Sequence, residues 1–300
     1  MSVEIRESEV PLGSEEDEKG AEKRVVYTVD SFKNGIAFGQ HRLPASEDPR
    51  DHYHLRLHDD SEMVRLRSRY VLHKKNPLHE LERHLMRLSQ LGQLSKATLY
   101  LGTTTDPFFP FEGKFDASMR FLELFQRYTP GMLIVQTRSP LIVIAMPIFK
   151  RLEHNCRVTM GIETNSEESI ARYTPGLPRF EERLKTLRAL RRFGITTHVQ
   201  VSPVLPYGDW RLGATVFAEQ INDVSDRVHV RPLTDGSERE ERRIKGTLLA
   251  RRLVEDRKFE WLKPHTANPL ISALEQLAPE KLVVPKWEHQ KAKQLEMFAA

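Results

Sequence analysis

The chain has 300 residues, of which 39% are hydrophobic and 29% charged, with 46 basic against 42 acidic side chains. That composition is ordinary for a soluble globular protein with one large domain or two small ones, and no run is apolar for long enough to cross a bilayer. The single cysteine, Cys156, excludes a disulfide framework and an all-cysteine zinc site. No signal peptide is recognised at the start, so the cytoplasm is the expected compartment. The net charge of +4 is too mild to argue for nucleic acid by itself. Its distribution is more informative. Glu15, Glu16, Asp17 and Glu18 make the start acidic, and residues 239–257 are densely basic. Each reads either as a solvated segment or as a surface for a charged partner.

Taken in chain order, residues 1–24 read as a disordered acidic tail. From Val25 the texture turns β-branched and aromatic. The turn-rich run KNGIAFGQHRLPASEDPRD (33–51) reads as irregular. NPLHELERHLMRLSQLG (76–92) predicts an amphipathic helix, with Leu78, Leu81, Leu85 and Leu88 on one face and Gly92 closing it. Strands are then predicted at 97–103, 132–137, 157–164, 195–205 and 227–232, and helices at 115–128, 180–194 and 211–224, with a short helical piece near PIFKRLEHN. Strands that alternate with helices at this spacing imply a parallel sheet with right-handed crossovers, either doubly wound or a β/α barrel. Residues 25–235 form this body. A basic helical extension is expected over 236–285 and a flexible tail over 286–300. The predicted strands end in polar groups: Thr103, Thr105 and Asp106; Gln136, Thr137 and Arg138; Glu163 and Thr164; Gln200 and Ser202. In a barrel these would meet at one mouth as a ligand pocket.

Those strand ends carry a family resemblance. GTTTDPFFPFE (102–112) resembles the G-T-x-T-D-P-Y-Q-P-x-E segment of spore photoproduct lyase-like radical S-adenosylmethionine (SAM) proteins. QTRSPLIV is similar to their T-K-S-x-L-V, with Arg138 for lysine. RVTMGIET is similar to V-x-x-S-I-x-T, with Gly161 for serine. RYTPGLPRFEERLKTLRALRRFGI resembles E-P-x-x-P-x-x-x-R-L leading to L-x-x-x-G-I, with Thr174 for glutamate. VSPVLPYGDW resembles P-I-I-P-G-x-x-D and keeps Pro203, Pro206 and Asp209. Any one piece is a weak signal. Five in the family's order, over about residues 70–215, make a strong one for the fold.

The resemblance implies an α/β fold: a partial (β/α)6 barrel with a helical C-terminal extension. It implies SAM and a 4Fe–4S cluster, held by a C-x3-C-x2-C loop after the first strand. No cysteine lies between Phe32 and Tyr70, where that loop belongs, so a cluster is not expected. The arginine-aspartate expected soon after the family's T-K-S is replaced by Ile144-Ala145. What remains is a possible residual site for SAM or a nucleoside.

The vacated loop reads DHYHLRLHDDSEM. His52, His54 and His58 there are either surface or core histidines, or ligands for zinc or non-haem iron. Asp106, Thr103 and Thr105 either contact a ligand or cap the next helix. Arg138 either grips an anion or pairs with Glu163. Phe108, Phe109 and Phe111 either pack or stack on a base. At the chain end, Gln294, Leu295, Met297 and Phe298 resemble the bacterial sliding-clamp-binding peptide, Q-L-S/D-L-F; the alternative is a terminal turn packed on the core.

Three functions are consistent with these residues. The first is a non-catalytic or repurposed relative that works near DNA, tethered to the sliding clamp, with DNA repair as the family analogy. The second is a metal enzyme built on the histidines. The third is an active radical SAM enzyme with an iron-sulfur cluster.

Overall fold

The pattern of alternating side chains sets the sheet. In a computed structural model the protein is described at residues 24–32, 35–43, 71–73, 77–102, 106–108, 114–208, 211–245 and 247–283. The strands are β1 (Arg24–Phe32), β2 (Gly35–Leu43), β3 (Val71–His73), β4 (Thr98–Leu101), β5 (Met132–Thr137), β6 (Cys156–Gly161), β7 (Thr196–Val201), β8 (Arg227–Val230) and β9 (Leu282–Val283). They form one sheet in the order β3-β2-β1-β4-β5-β6-β7-β8-β9. From β1 through β4 to β9 every neighbour is parallel; β2 and β3 add antiparallel to the β1 edge.

The helices are α1 (Pro77–Gln90), α2 (Lys114–Arg127), α3 (Met146–Leu152), α4 (Glu167–Tyr173), α5 (Phe180–Arg192), α6 (Gly213–Asp223), α7 (Glu238–Lys245), α8 (Leu248–Glu255) and α9 (Asn268–Leu277). The order of the parallel strands runs with the chain and never reverses. A doubly wound sheet needs a reversal, so that alternative falls. With right-handed crossovers, a sequential order puts the connecting helices on one side. The six strands β1 and β4 to β8 are the arc of a partial β/α barrel, the architecture expected from the sequence.

The core lies between the sheet and those helices. Leu99, Leu101, Leu133, Val135, Val158, Met160, Val199, Val201, Val228 and Val230 point into it from the strands. Leu81 and Leu85 of α1, Phe121 and Phe125 of α2, Leu184 and Leu187 of α5, and Phe217 and Ile221 of α6 meet them. Period two on the strands and period 3.6 on the helices produce this layer. Helix ends are set locally. The Glu182 carboxylate accepts from the Arg179 backbone N–H at the start of α5. Gly194, at φ +77°, turns the chain out of it, and the Ile195 N–H reaches back to the Leu190 carbonyl.

Several elements differ from the sequence reading, β3 and β9 among them, for which it predicts no strand. The irregular run expected at 33–51 contains β2, because nine residues of β1 pair with it in register from Arg24↔Leu43 to Phe32↔Gly35. Partner strands override weak local propensity. The disordered tail expected over 1–24 yields Arg24 to β1, and the rest of it lies outside the described residues. Helix α4 has no counterpart among the predicted elements; Ser166 caps it by accepting from the Ser169 N–H, and Glu167 and Glu168 fill its first turn. The segment after residue 235 ends back on the sheet, where Leu282 sits beside Val228. Among the described residues, no helix is long and apolar enough to cross a membrane.

Candidate functional site

Two places where the parallel strands end are held by side chain to main chain bonds. Gly102 comes after β4 at φ +91°, and a Cβ there would lie 2.6 Å from Pro107 Cδ and collide with the Gln136 carbonyl oxygen. Glycine is required for the turn to lie this close to β5. The Asp106 carboxylate then spans both strands. Its Oδ1 accepts from the Phe108 N–H at 3.0 Å and the Thr137 hydroxyl at 2.6 Å, and its Oδ2 accepts from the Arg138 N–H at 2.6 Å. Burial pushes its pKa up from the ordinary aspartate value, and the three hydrogen bonds and the Arg138 charge only partly oppose this. The Thr137 hydroxyl also accepts from the Ser139 N–H. One ligand-site candidate is therefore a brace between β4 and β5.

Thr164 plays the same part farther along the arc. Its hydroxyl donates to the Pro206 carbonyl at 2.6 Å and accepts from the Ser166 N–H at 3.0 Å. Ser202 is buried at the end of β7, just before Pro203.

Glu163 is the charged centre of this end of the sheet. Its carboxylate is buried and accepts from Arg138 Nε on Oε1 at 2.5 Å and from Arg183 Nη1 on Oε2 at 2.9 Å. Arg183 is wholly buried and donates as well to the Gly161 carbonyl at 2.8 Å. Burial would raise the pKa of Glu163, but the two guanidinium groups outweigh it and hold the carboxyl below the usual range. The Arg138 side chain reaches Glu163 by lying over residue 161. A Cβ at Gly161 would stand 2.9 Å from Arg138 Cγ and 3.1 Å from its Cζ. A side chain at 161 would crowd the Arg138 side chain where it passes to Glu163. Of the two readings of Arg138, the ion pair with Glu163 is the one the structure places.

The face of the sheet turned away from the helix core is also buried, but its chemistry is different. It carries Tyr100 and Ile134, then Gln136, Thr159, His198, Gln200 and His229. Tyr100 stands beside Ile134 across β4 and β5. Gln136 stands beside Thr159, and Thr159 beside His198. The His198 and His229 rings lie 5.7 Å apart. Both amide atoms of Gln136 and the hydroxyl of Thr159 are buried with no hydrogen-bond partner among the described residues.

Gln136 and Gln200 are candidates from the sequence; Arg183, Thr159, His198 and His229 are not. The signal existed. Arg183 lies three residues after Phe180 and four before Leu187, which puts it on the apolar face of α5. Thr159 and His198 alternate with Val158, Met160, Thr197 and Val199. Thr103, Thr105, Phe109, Phe111, the three histidines His52, His54 and His58, and the tail residues Gln294, Leu295, Met297 and Phe298 lie outside the described residues. Phe108, which lies within them, is packed in the core.

The thiol needed for a cluster does not fit. Cys156 opens β6, at the opposite end of that strand from Gly161, and is buried in the helix-side core. Burial raises its pKa far above the ordinary thiol value, so the thiolate that iron requires is disfavoured there. Five residues of extended strand span roughly 16 Å.

No family model and no curated protein sequence matches the chain. Solved structures do. A mutant spore photoproduct lyase with bound AdoMet and dinucleoside spore photoproduct aligns over 74% of this chain and 70% of its own, at 15% identity and a TM-score of 0.48. Spore photoproduct lyase complexed with dinucleoside spore photoproduct aligns over 75% and 70%, at 14% identity and a TM-score of 0.48. The radical S-adenosylmethionine methyltransferase TsrM from Kitasatospora setae aligns over 55% of this chain and 32% of its own, at 17% identity and a TM-score of 0.40.

Proposed function

We propose that this chain is a cluster-less protein of the spore photoproduct lyase-like radical SAM type, non-catalytic or repurposed, that keeps a nucleoside-sized polar site and works beside DNA. The observation that carries the reading is the position of sulfur. One cysteine is present, and it faces the helix layer at the wrong end of β6. Five motif-like stretches of sequence, in the family's order from Gly102 to Trp210, support the family type. A cluster at the strand ends would lack the set of thiolates that holds iron. The chain's own residues supply a rigid mouth. Asp106 and Thr164 brace it, and Arg138 and Arg183 neutralise Glu163 there.

Three measurements test the reading. Protein isolated without oxygen should be colourless, free of iron and sulfide; a brown sample absorbing near the blue edge of the visible would make it an active radical SAM enzyme instead. Stoichiometric zinc or iron, lost in His54→Ala and His58→Ala, would make it a metal enzyme. Titration calorimetry with SAM should show heat; none at millimolar ligand removes the residual site.

The DNA role rests on the terminal peptide. Leu295, Met297 and Phe298 suit an apolar groove, and Gln294 its polar rim. A peptide of residues 290–300 is expected to bind a bacterial sliding clamp and to lose binding in Phe298→Ala. Failure of the full-length protein to bind clamp ends this part of the proposal.

A further inference from the structure

We infer that Gln136 and Thr159 are the recognition pair of the site, reading the edge of a nucleobase on the face of the sheet away from the helices. The inference deepens the nucleoside reading above and rests on it. Three polar groups on two residues adjacent in register are buried without partners among the described residues. Such groups cost free energy when nothing meets them. Packing alone does not demand them: on the opposite face the same strands carry Val135 and Val158. A ligand that pairs with them removes the cost.

The chemistry selects the class of ligand. A glutamine amide presents an acceptor and a donor side by side, and its complement is a planar edge with a donor and an acceptor at the same spacing. Nucleobases carry such edges, and glutamine reads one bidentately in adenine. A hydroxyl beside it donates or accepts as required. The same face supplies one aromatic ring and an aliphatic neighbour, since Tyr100 and Ile134 lie together one step toward the start of β4 and β5. The imidazoles of His198 and His229 continue the row on the other side.

The test uses the full-length protein, with adenosine and thymidine as probes and SAM in parallel. Wild-type protein should bind at least one nucleoside. Gln136→Leu and Thr159→Val should each weaken that binding by about tenfold or more, the discrimination expected of lost base-edge contacts. Both variants should melt at or above the wild-type temperature, because each removes unpartnered buried groups. Equal nucleoside binding in wild type and variants overturns the inference and leaves the nucleoside reading intact. No binding of any probe, with both variants more stable, marks a dry or water-filled gap and overturns both. A sharply lower melting temperature in both variants shows that the groups are already paired and overturns the inference.

Discussion

On the helix side of the sheet, Leu133, Val135, Val158 and Met160 are buried in a continuous apolar layer. On the other side of the same strands, Gln136, Thr159, His198 and His229 are buried to a similar degree. Burial is alike, and the residue types are opposite. The first face is filled for stability, where each buried apolar group lowers the free energy of the folded chain. The second face keeps groups that stability alone would discard. Between the two, at the strand ends, Arg138, Glu163 and Arg183 place charge where water has little access. Charges of this kind hold the structure only while every partner is present.

The most damaging test of this contrast is Glu163→Gln. It leaves Arg183 wholly buried without a counter-charge and should cost about 3–5 kcal/mol in urea unfolding, the usual penalty for breaking a buried pair. The same variant should alter the acid limb. The folded pKa of Glu163 is depressed, so its contribution is present above the unfolded value and lost as pH falls through the folded one. Wild-type stability should therefore decline below about pH 4, and the variant should decline less steeply there. A wild-type curve flat through that range would refute the buried-pair account.

A smaller effect separates the two faces directly. Leu133→Ala, on the helix side, should cost about 2–5 kcal/mol by opening a cavity. Thr159→Val, on the other side of the neighbouring strand, should be neutral or stabilising. Equal losses would show that both faces are ordinary core. Next comes the brace. Asp106→Asn turns an amide N–H toward a backbone donor and should cost about 1–3 kcal/mol, read by urea unfolding. Asp106 has a raised folded pKa, the opposite sign to Glu163, so its stabilising share is full at low pH and fades as pH rises through the folded value.

The smallest effect is expected at the surface. Arg172 pairs with Asp256 at 2.8 Å and with Glu255 at 3.0 Å, tying α4 to α8. These groups are screened by water, and Asp256→Asn should leave the melting temperature close to that of wild type. A large drop would place the clasp on a par with Glu163 and erase the distinction between buried and exposed charge.

The sequence by itself determined the α/β class, the strand-helix alternation from Ala97 to Pro232 and the single cysteine. These are local: period two, period 3.6 and a residue count survive without any knowledge of neighbours. It did not determine β2, whose turn-rich composition is overridden by pairing with β1. Nor did it reveal that Asp106 bonds across to Thr137 and Arg138, that Thr137 and Thr164 bond to main chain, or that the Arg138 side chain passes over Gly161 on its way to Glu163. Those facts depend on strands distant in the chain lying side by side. Tertiary structure alone decided which polar strand residues are consumed in holding the mouth together and which, Gln136 and Thr159, are buried with no bond to make among the described residues. Hydrogen bonds act over about 3 Å, so their partners are settled by proximity in space and not by spacing in sequence.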